Sequence, residues 1–266
     1  MSRRFPPERI VCLTEETVET LYLLGQQDRI VGVSGYAVRP PQVRKDKPRV
    51  SAYTSADLPK VLALKPDLVL AFSDLQADIV ASLVRAGVAV HAFNQRDVAG
   101  ILAMIRMLGA MVGEHDGAAR LAERLALRLA EVRAEAARHD IRPRVYFEEW
   151  DEPMISSIGW VSEIIEVAGG TEVFRDKSLE QAAKDRIVSA QDVVAADPDI
   201  VIASWCGKKF ARERFIARPG FQAIKAVREN QLFEIKAPLI LQPGPAVLTD
   251  GLDAVSGIIA AWRRTR

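Results

Sequence analysis

The sequence predicts an α/β protein of two similar lobes, each with a parallel sheet, joined by a single long α-helix. Three observations predict it. The run 116–139 carries Leu121, Leu125, Leu129, Val132 and Ala136 at spacings of four, four, three and four. That is one apolar stripe on a 3.6-residue period. Arg120 with Glu123 and Arg128 with Glu131 put opposite charges three residues apart on the other faces, and Asp116 can cap the start. At 1.5 Å per residue this helix is roughly 33 Å long, about the width of a small domain. The second observation is an internal echo. VLALKPDLVLAF (61–72) and VVAADPDIVIAS (193–204) match at Val61/Val193, Ala63/Ala195, Pro66/Pro198, Asp67/Asp199, Val69/Val201 and Ala71/Ala203, a constant offset of 198 − 66 = 132. Each copy reads as a short helix, a Pro-Asp turn and a buried strand. The third is a looser echo of 9–25 in 144–170, both reading as strand, loop, helix, glycine.

Composition excludes several classes. With 49% hydrophobic residues and a net charge of +1, the chain has neither the basic excess of a nucleic-acid binder nor an acidic tail. It contains no apolar run of eighteen residues, so no membrane span is expected. MSRRFPPERI has two arginines but no apolar core and no small-residue cleavage site, which reads as no export signal. Cys12 and Cys206 are too few for a disulfide framework.

In order, the chain predicts a strand over 9–13 and a loop 14–17 capping a helix over 18–24. A strand over 29–33 ends in Ser34-Gly35-Tyr36. A Pro-rich, basic, exposed loop follows at 39–49. Pro59 opens the helix before the first Pro-Asp turn, and 68–72 is a strand leading into Ser73-Asp74-Leu75. A helix over 77–86 stops at Gly87, a strand covers 88–93, and a strong helix over 97–111 breaks at Gly113. Beyond the long helix come a strand over 144–148, a loop 149–157, a helix over 160–168 and Gly169-Gly170. Then come a helix over 189–196, a strand over 200–203, a short helix over 221–227, a strand over 232–235 and a closing helix over 248–262. Strands alternating with helices imply parallel, Rossmann-like lobes. The expected division is 1–113, the linking helix 114–140, and 141–266.

RIVCLTEETVETLYLLGQQDRIVGVSGY and LPKVLALKPDLVLAF, with the long helix behind them, resemble one family along essentially the whole chain. It is that of the substrate-binding proteins of ABC importers for cobalamin, ferric siderophores or haem, those with a single helical backbone. The cobalamin branch is the nearest in kind. The resemblance implies a ligand held between the lobes at the carboxyl ends of the strands, with no catalysis, no cofactor and no resident metal. Loops there give Glu15, Glu16, Tyr36, Phe72, Ser73 and Asp74 in the first lobe. In the second they give Glu149, Trp150, Asp151, Trp205, Cys206 and Lys208. Aromatics are only 6% of the chain, yet Trp150, Trp205, Tyr36 and Phe72 all fall just past strand ends, and flat rings suit a flat macrocycle. The carboxylates of 148–152 read as a solvated loop or, on the sharper reading, as acceptors of hydrogen bonds from ligand amides or amines.

The resemblance also implies docking on an ABC permease dimer through one acid per lobe. Position points to Asp78 and Glu213, the latter flanked by Arg212 and Arg214, which blunt a negative patch. A monomer is expected. By family the compartment is periplasmic; the N-terminus argues for the cytoplasmic alternative, an intracellular corrinoid carrier without a transporter. Ferric siderophore or haem is the alternative ligand, kept open by Arg39, Arg44, Lys208 and Lys209. An enzyme would need a base for Cys206, and His115 and His139 flank the long helix, away from any strand end. Three scattered histidines do not make a zinc or manganese site.

Overall fold

The computed structural model describes residues 5–266. The first sheet contains β1 (Ile10–Cys12), β2 (Ile30–Ser34), β3 (Arg49–Ser51), β4 (Leu68–Phe72) and β5 (Val90–Phe93) in the order β3-β2-β1-β4-β5. All its pairings are parallel, with Ile10 opposite Leu68 and Val69 opposite Val90. Such strands are covered on both faces and read as continuous apolar runs; every residue of β1 and β4 is buried. Val11, Leu13, Val50, Val61, Val69, Ala71 and Leu83 form a core on one side.

The second sheet is built on β6 (Arg144–Asp151). One edge of β6 pairs in parallel with β9 (Ile200–Ala203), which pairs with β10 (Leu232–Glu234). The other edge takes two partners in turn. β8 (Thr171–Glu172) runs parallel beside Arg144 and Val145, and β7 (Met154–Ser156) folds back antiparallel beside Glu148–Asp151. Tyr146, Val193, Val201, Phe215, Phe221 and Leu232 centre its core.

Two compact units result: residues up to Gln95 with Ala99–Arg124, and Arg96–Val98 with Leu125–Arg266. The division falls inside the long helix, which runs unbroken from His115 to Ala136. Its buried stripe is Ala118, Leu121, Ala122, Leu125 and Leu129; Val132 and Ala136 are only half-buried. Arg128, expected to pair along the helix with Glu131, instead bonds Asp253. The preceding helix, Val98–Val112, approaches closely at Gly109, where a Cβ would stand 2.1 Å from that of Ala118. Gly113 turns the chain between them at φ 81°.

The echo at offset 132 has a physical counterpart in each lobe. Asp57 caps the helix Leu58–Ala63, and Ser189, 132 residues on, caps Ala190–Ala196 with a capping box. Lys65 and Asp197, also 132 apart, both adopt left-handed backbone, at φ 50° and 37°. The Arg9 guanidinium donates twice to the Leu64 carbonyl, at 3.0 and 2.7 Å. Arg144 donates in the same way to Ala196, at 3.1 and 2.8 Å. The Asp67 carboxylate accepts from the Arg9 amide at 2.9 Å, and Asp199 from the Arg144 amide at 2.8 Å.

Other expectations shift. The first helix begins at Glu15, not Val18, so Glu15 and Glu16 stand in its first turn rather than in a loop. The segment 39–49 is not a plain exposed loop: it holds the short helix Val43–Asp46, with Val43 buried, and the start of edge strand β3. The expected loop 149–157 is largely the β6–β7 hairpin. The closing helix begins with a π turn, Val247–Gly251, before Leu252–Arg263.

Candidate ligand-binding loops

In the N-terminal lobe the loop after β1 leads directly into the helix Glu15–Leu23. The Thr14 hydroxyl donates to Glu16 Oε1 at 2.6 Å instead of capping the helix, and the Thr17 hydroxyl donates to the Thr14 carbonyl at 3.2 Å. Glu15 is 5% and Glu16 2% exposed. Among the described residues no ion pair neutralises either. Burial raises Glu15 to about 7; burial, reinforced by the neighbouring Glu15, raises Glu16 to about 8. A helix N-terminus favours negative charge, but desolvation wins here. Both therefore keep their protons well above the usual carboxylate range, Glu16 further than Glu15, and a protonated carboxyl both donates and accepts. Cys12, buried beneath them, is pushed up to about 12 by burial and is no nucleophile at ordinary pH.

The remaining N-terminal candidates divide. Tyr36 is 53% exposed and offers an open ring. Phe72 does not: it is 3% exposed within β4. Ser73 is buried in left-handed backbone at φ 61°, its hydroxyl accepting from the Leu75 amide, while Asp74 is exposed. Gln76, which sequence reasoning missed, ties this region together. Fully buried, it accepts from the Phe72 amide at 3.0 Å and donates to the carbonyls of Leu13 (3.3 Å) and Tyr53 (2.8 Å). A glutamine in a loop gives no sequence signal for such a role.

In the C-terminal lobe the acidic run is strand, and each carboxylate has found a base. Glu148 is fully buried. It accepts from Tyr146 Oη at 2.9 Å, Trp205 Nε1 at 2.9 Å, and both Arg218 terminal nitrogens at 2.5 and 3.1 Å. Burial raises its pKa against the pull of Arg218 and the other donors. Glu149 meets Arg186 Nη1 at 2.5 Å; Arg186 is itself 2% exposed and also donates to the Ser156 carbonyl. The buried Asp151 side chain takes Lys208 Nζ at 2.5 Å on one oxygen and Arg214 on the other. Burial alone would raise its pKa, but the Lys208 hydrogen bond and both cations outweigh this and hold it below the usual carboxylate range.

These contacts correct two expectations. The C-terminal carboxylates are not open acceptors, because three arginines and a lysine, remote in sequence, already occupy them. Nor is Trp205 an open platform: it is 2% exposed, hydrogen-bonded to Glu148 and edge-on to Phe210 at 5.2 Å. Trp150 is half-buried, its Nε1 donating to the Glu152 carbonyl at 2.8 Å, with Lys208 Nζ 3.8 Å from the ring centroid. Cys206 is exposed and not in a disulfide. Arg186, Arg214 and Arg218 left no motif in the sequence that points to these pairings.

Asp78 is exposed on the helix Ala77–Arg85, and Glu213 is exposed on Arg212–Ile216. The arginines flanking Glu213 are engaged elsewhere, Arg212 with Asn230 and Arg214 with Asp151. Among the described residues no helix is long and apolar enough to cross a membrane, and no three His, Cys, Asp or Glu side chains cluster as metal ligands.

Comparison with known proteins bears on this arrangement. The sequence profile described as "Periplasmic binding protein" matches residues 10–239. The Vitamin B12-binding protein of Vibrio cholerae is 26% identical over 257 residues, covering 93% of this chain and 88% of that protein. The Cobalamin-binding protein of Halobacterium salinarum is 28% identical over 199 residues, covering 74% and 53% respectively. Among solved structures, the periplasmic vitamin B12-binding protein of Vibrio cholerae superposes with a TM-score of 0.77 at 24% identity, covering 98% of this chain and 100% of that one. The apo periplasmic heme-binding protein of Roseiflexus sp. RS-1 superposes at 0.81 with 23% identity, covering 95% and 99%. At these identities the superpositions establish a shared fold, of α/β type with two lobes. Since the profile spans most of the chain, the chain belongs to the periplasmic binding protein family.

Proposed function

We propose that this protein is the binding component of an ABC importer and carries cobalamin or a related corrinoid. The observation that carries the reading is the state of charge at the strand ends. Arg186, Arg214 and Arg218, the groups suited to an anionic chelate or to haem propionates, are bonded to Glu149, Asp151 and Glu148. Burial raises Glu15 to about 7 and Glu16 to about 8, so both favour the neutral form well above the usual carboxylate range. Carboxyls that favour the neutral form in one lobe, and neutralised pairs in the other, each suit a ligand whose rim is amides, which both donate and accept. Tyr36 and Trp150 supply flat faces. Relatives named for vitamin B12 and cobalamin support the same ligand. Haem is the second reading, favoured by the superposition on a heme-binding protein.

On this reading Asp78 and Glu213 meet the permease, Glu213 helped by the diversion of its two neighbouring arginines. The protein acts with its family outside the cytoplasmic membrane. Calorimetric titration with cyanocobalamin tests the ligand. One-to-one, sub-micromolar binding is expected, weakened about tenfold in Trp150→Leu, the loss of roughly 1.4 kcal/mol of stacking. Heat with haemin and none with cyanocobalamin would transfer the assignment to haem.

A further inference from the structure

We propose that the Lys208 ammonium is a built-in occupant of the Trp150 ring face, which a flat ligand must displace before it stacks there. The proposal rests on the ligand reading above. Four observations within the C-terminal lobe carry it. Lys208 Nζ lies 3.8 Å from the ring centroid, well within the range at which a cation is attracted to an indole face. The ring is fixed by the hydrogen bond from its Nε1 to the Glu152 carbonyl. The lysine is aimed by a tight turn, in which its amide donates to the Trp205 carbonyl at 3.1 Å and Gly207 takes φ 73°. Its ammonium is held over the ring by Asp151 Oδ1 at 2.5 Å.

The arrangement is made to open. The Lys208 side chain is 37% exposed, so its head can move into water along a flexible stem. Asp151 keeps Arg214 on its other oxygen, so departure of the lysine strands no buried carboxylate. Removal of Arg214 would not be equivalent, because it leaves Asp151 with the lysine alone and holds the lysine more firmly. In the absence of ligand the lysine covers an aromatic face that would otherwise be open to water or to unrelated rings. A ligand that covers the whole Trp150 face can replace the contact it removes, whereas a small ring cannot.

Two measurements test this. In the ligand-free protein, nuclear magnetic resonance should show the Lys208 ε-methylene protons shifted upfield by the ring, and the shift should vanish in Trp150→Leu. In calorimetry, Lys208→Met, which keeps the stem and removes the charge, should bind cyanocobalamin roughly three- to tenfold more tightly than the parent. That gain should disappear when Trp150→Leu is added. Unshifted methylene signals would overturn the proposal. So would Lys208→Met binding that is equal or weaker, which would make the lysine a bystander or a ligand contact. If the signals are shifted but neither protein binds cyanocobalamin or haemin, the placement of the lysine stands and the ligand reading fails.

Discussion

In the N-terminal lobe two adjacent carboxyls, Glu15 and Glu16, are buried with no cation bonded to them among the described residues, and burial raises them to about 7 and about 8. In the C-terminal lobe Glu148, Glu149 and Asp151 lie at the end of β6, beside the strand that follows the second Pro-Asp turn, and each is matched with arginine or lysine. The helix, turn and strand around the Pro-Asp pair repeat in both lobes, with caps at Asp57 and Ser189 and left-handed Lys65 and Asp197. What differs is how charge is kept out of a low-dielectric place: by protonation in one lobe and by pairing in the other. Each device has its own failure. A protonated carboxyl fails when the pH rises, and a paired one fails when its partner is removed.

The sharpest way to break the comparison is Arg218→Ala. It leaves Glu148 buried with only Tyr146 and Trp205 as donors, and a loss of about 3–5 kcal/mol is expected in urea unfolding. Adding Glu148→Gln should restore much of it. The next effect is a pH dependence, whose sign follows from raised pKa values. Glu15 and Glu16 rise from an ordinary 4.5 to about 7 and about 8. Their contribution to stability is complete below about pH 4.5 and is lost as pH climbs through 7 to 8. The double variant Glu15→Gln, Glu16→Gln should flatten that fall. Glu172, also raised to about 7 by burial, titrates in both proteins and cancels in their difference. An unchanged slope would mean these carboxyls are ionised and paired after all, and the two lobes alike.

The smallest effect tests what the lobes share. Asp67→Ala and Asp199→Ala each remove the acceptor for the strand-start amides. Each should cost about 1–3 kcal/mol, read as faster hydrogen exchange in β1 and β6 respectively. Asp199 should lie at the upper end, because it also holds Lys225 Nζ at 2.5 Å.

The scaffold was legible in the sequence because it is written in local terms. The strand apolar runs, the Pro-Asp turns, the Gly87 and Gly113 stops and the periodicity of 98–112 each act within a few residues. The aspartates at 67 and 199 could even be paired from the echo, though not their bonds to Arg9 and Arg144. The site was legible only in outline. Glu15 and Glu16 lie in a polar run that reads as loop, because nothing local reports that they are buried. The run 148–152 reads as solvated for the same reason: its partners, Arg186, Lys208, Arg214 and Arg218, come from 37 to 70 residues away. Trp205 was placed correctly past a strand end, but its burial depends on Glu148 and Phe210, which only the fold brings to it.

The internal pairing of the C-terminal lobe also bears on how quickly a ligand arrives. Charges that end on one another a few ångströms apart project little field into solvent, and the chain as a whole carries a net charge of only +1. Such a surface does not steer diffusing molecules. Encounter with it is unguided, with little response to ionic strength. Discrimination among ligands then falls to the lifetime of the complex, and a protein built in this way selects its cargo by how long it keeps it.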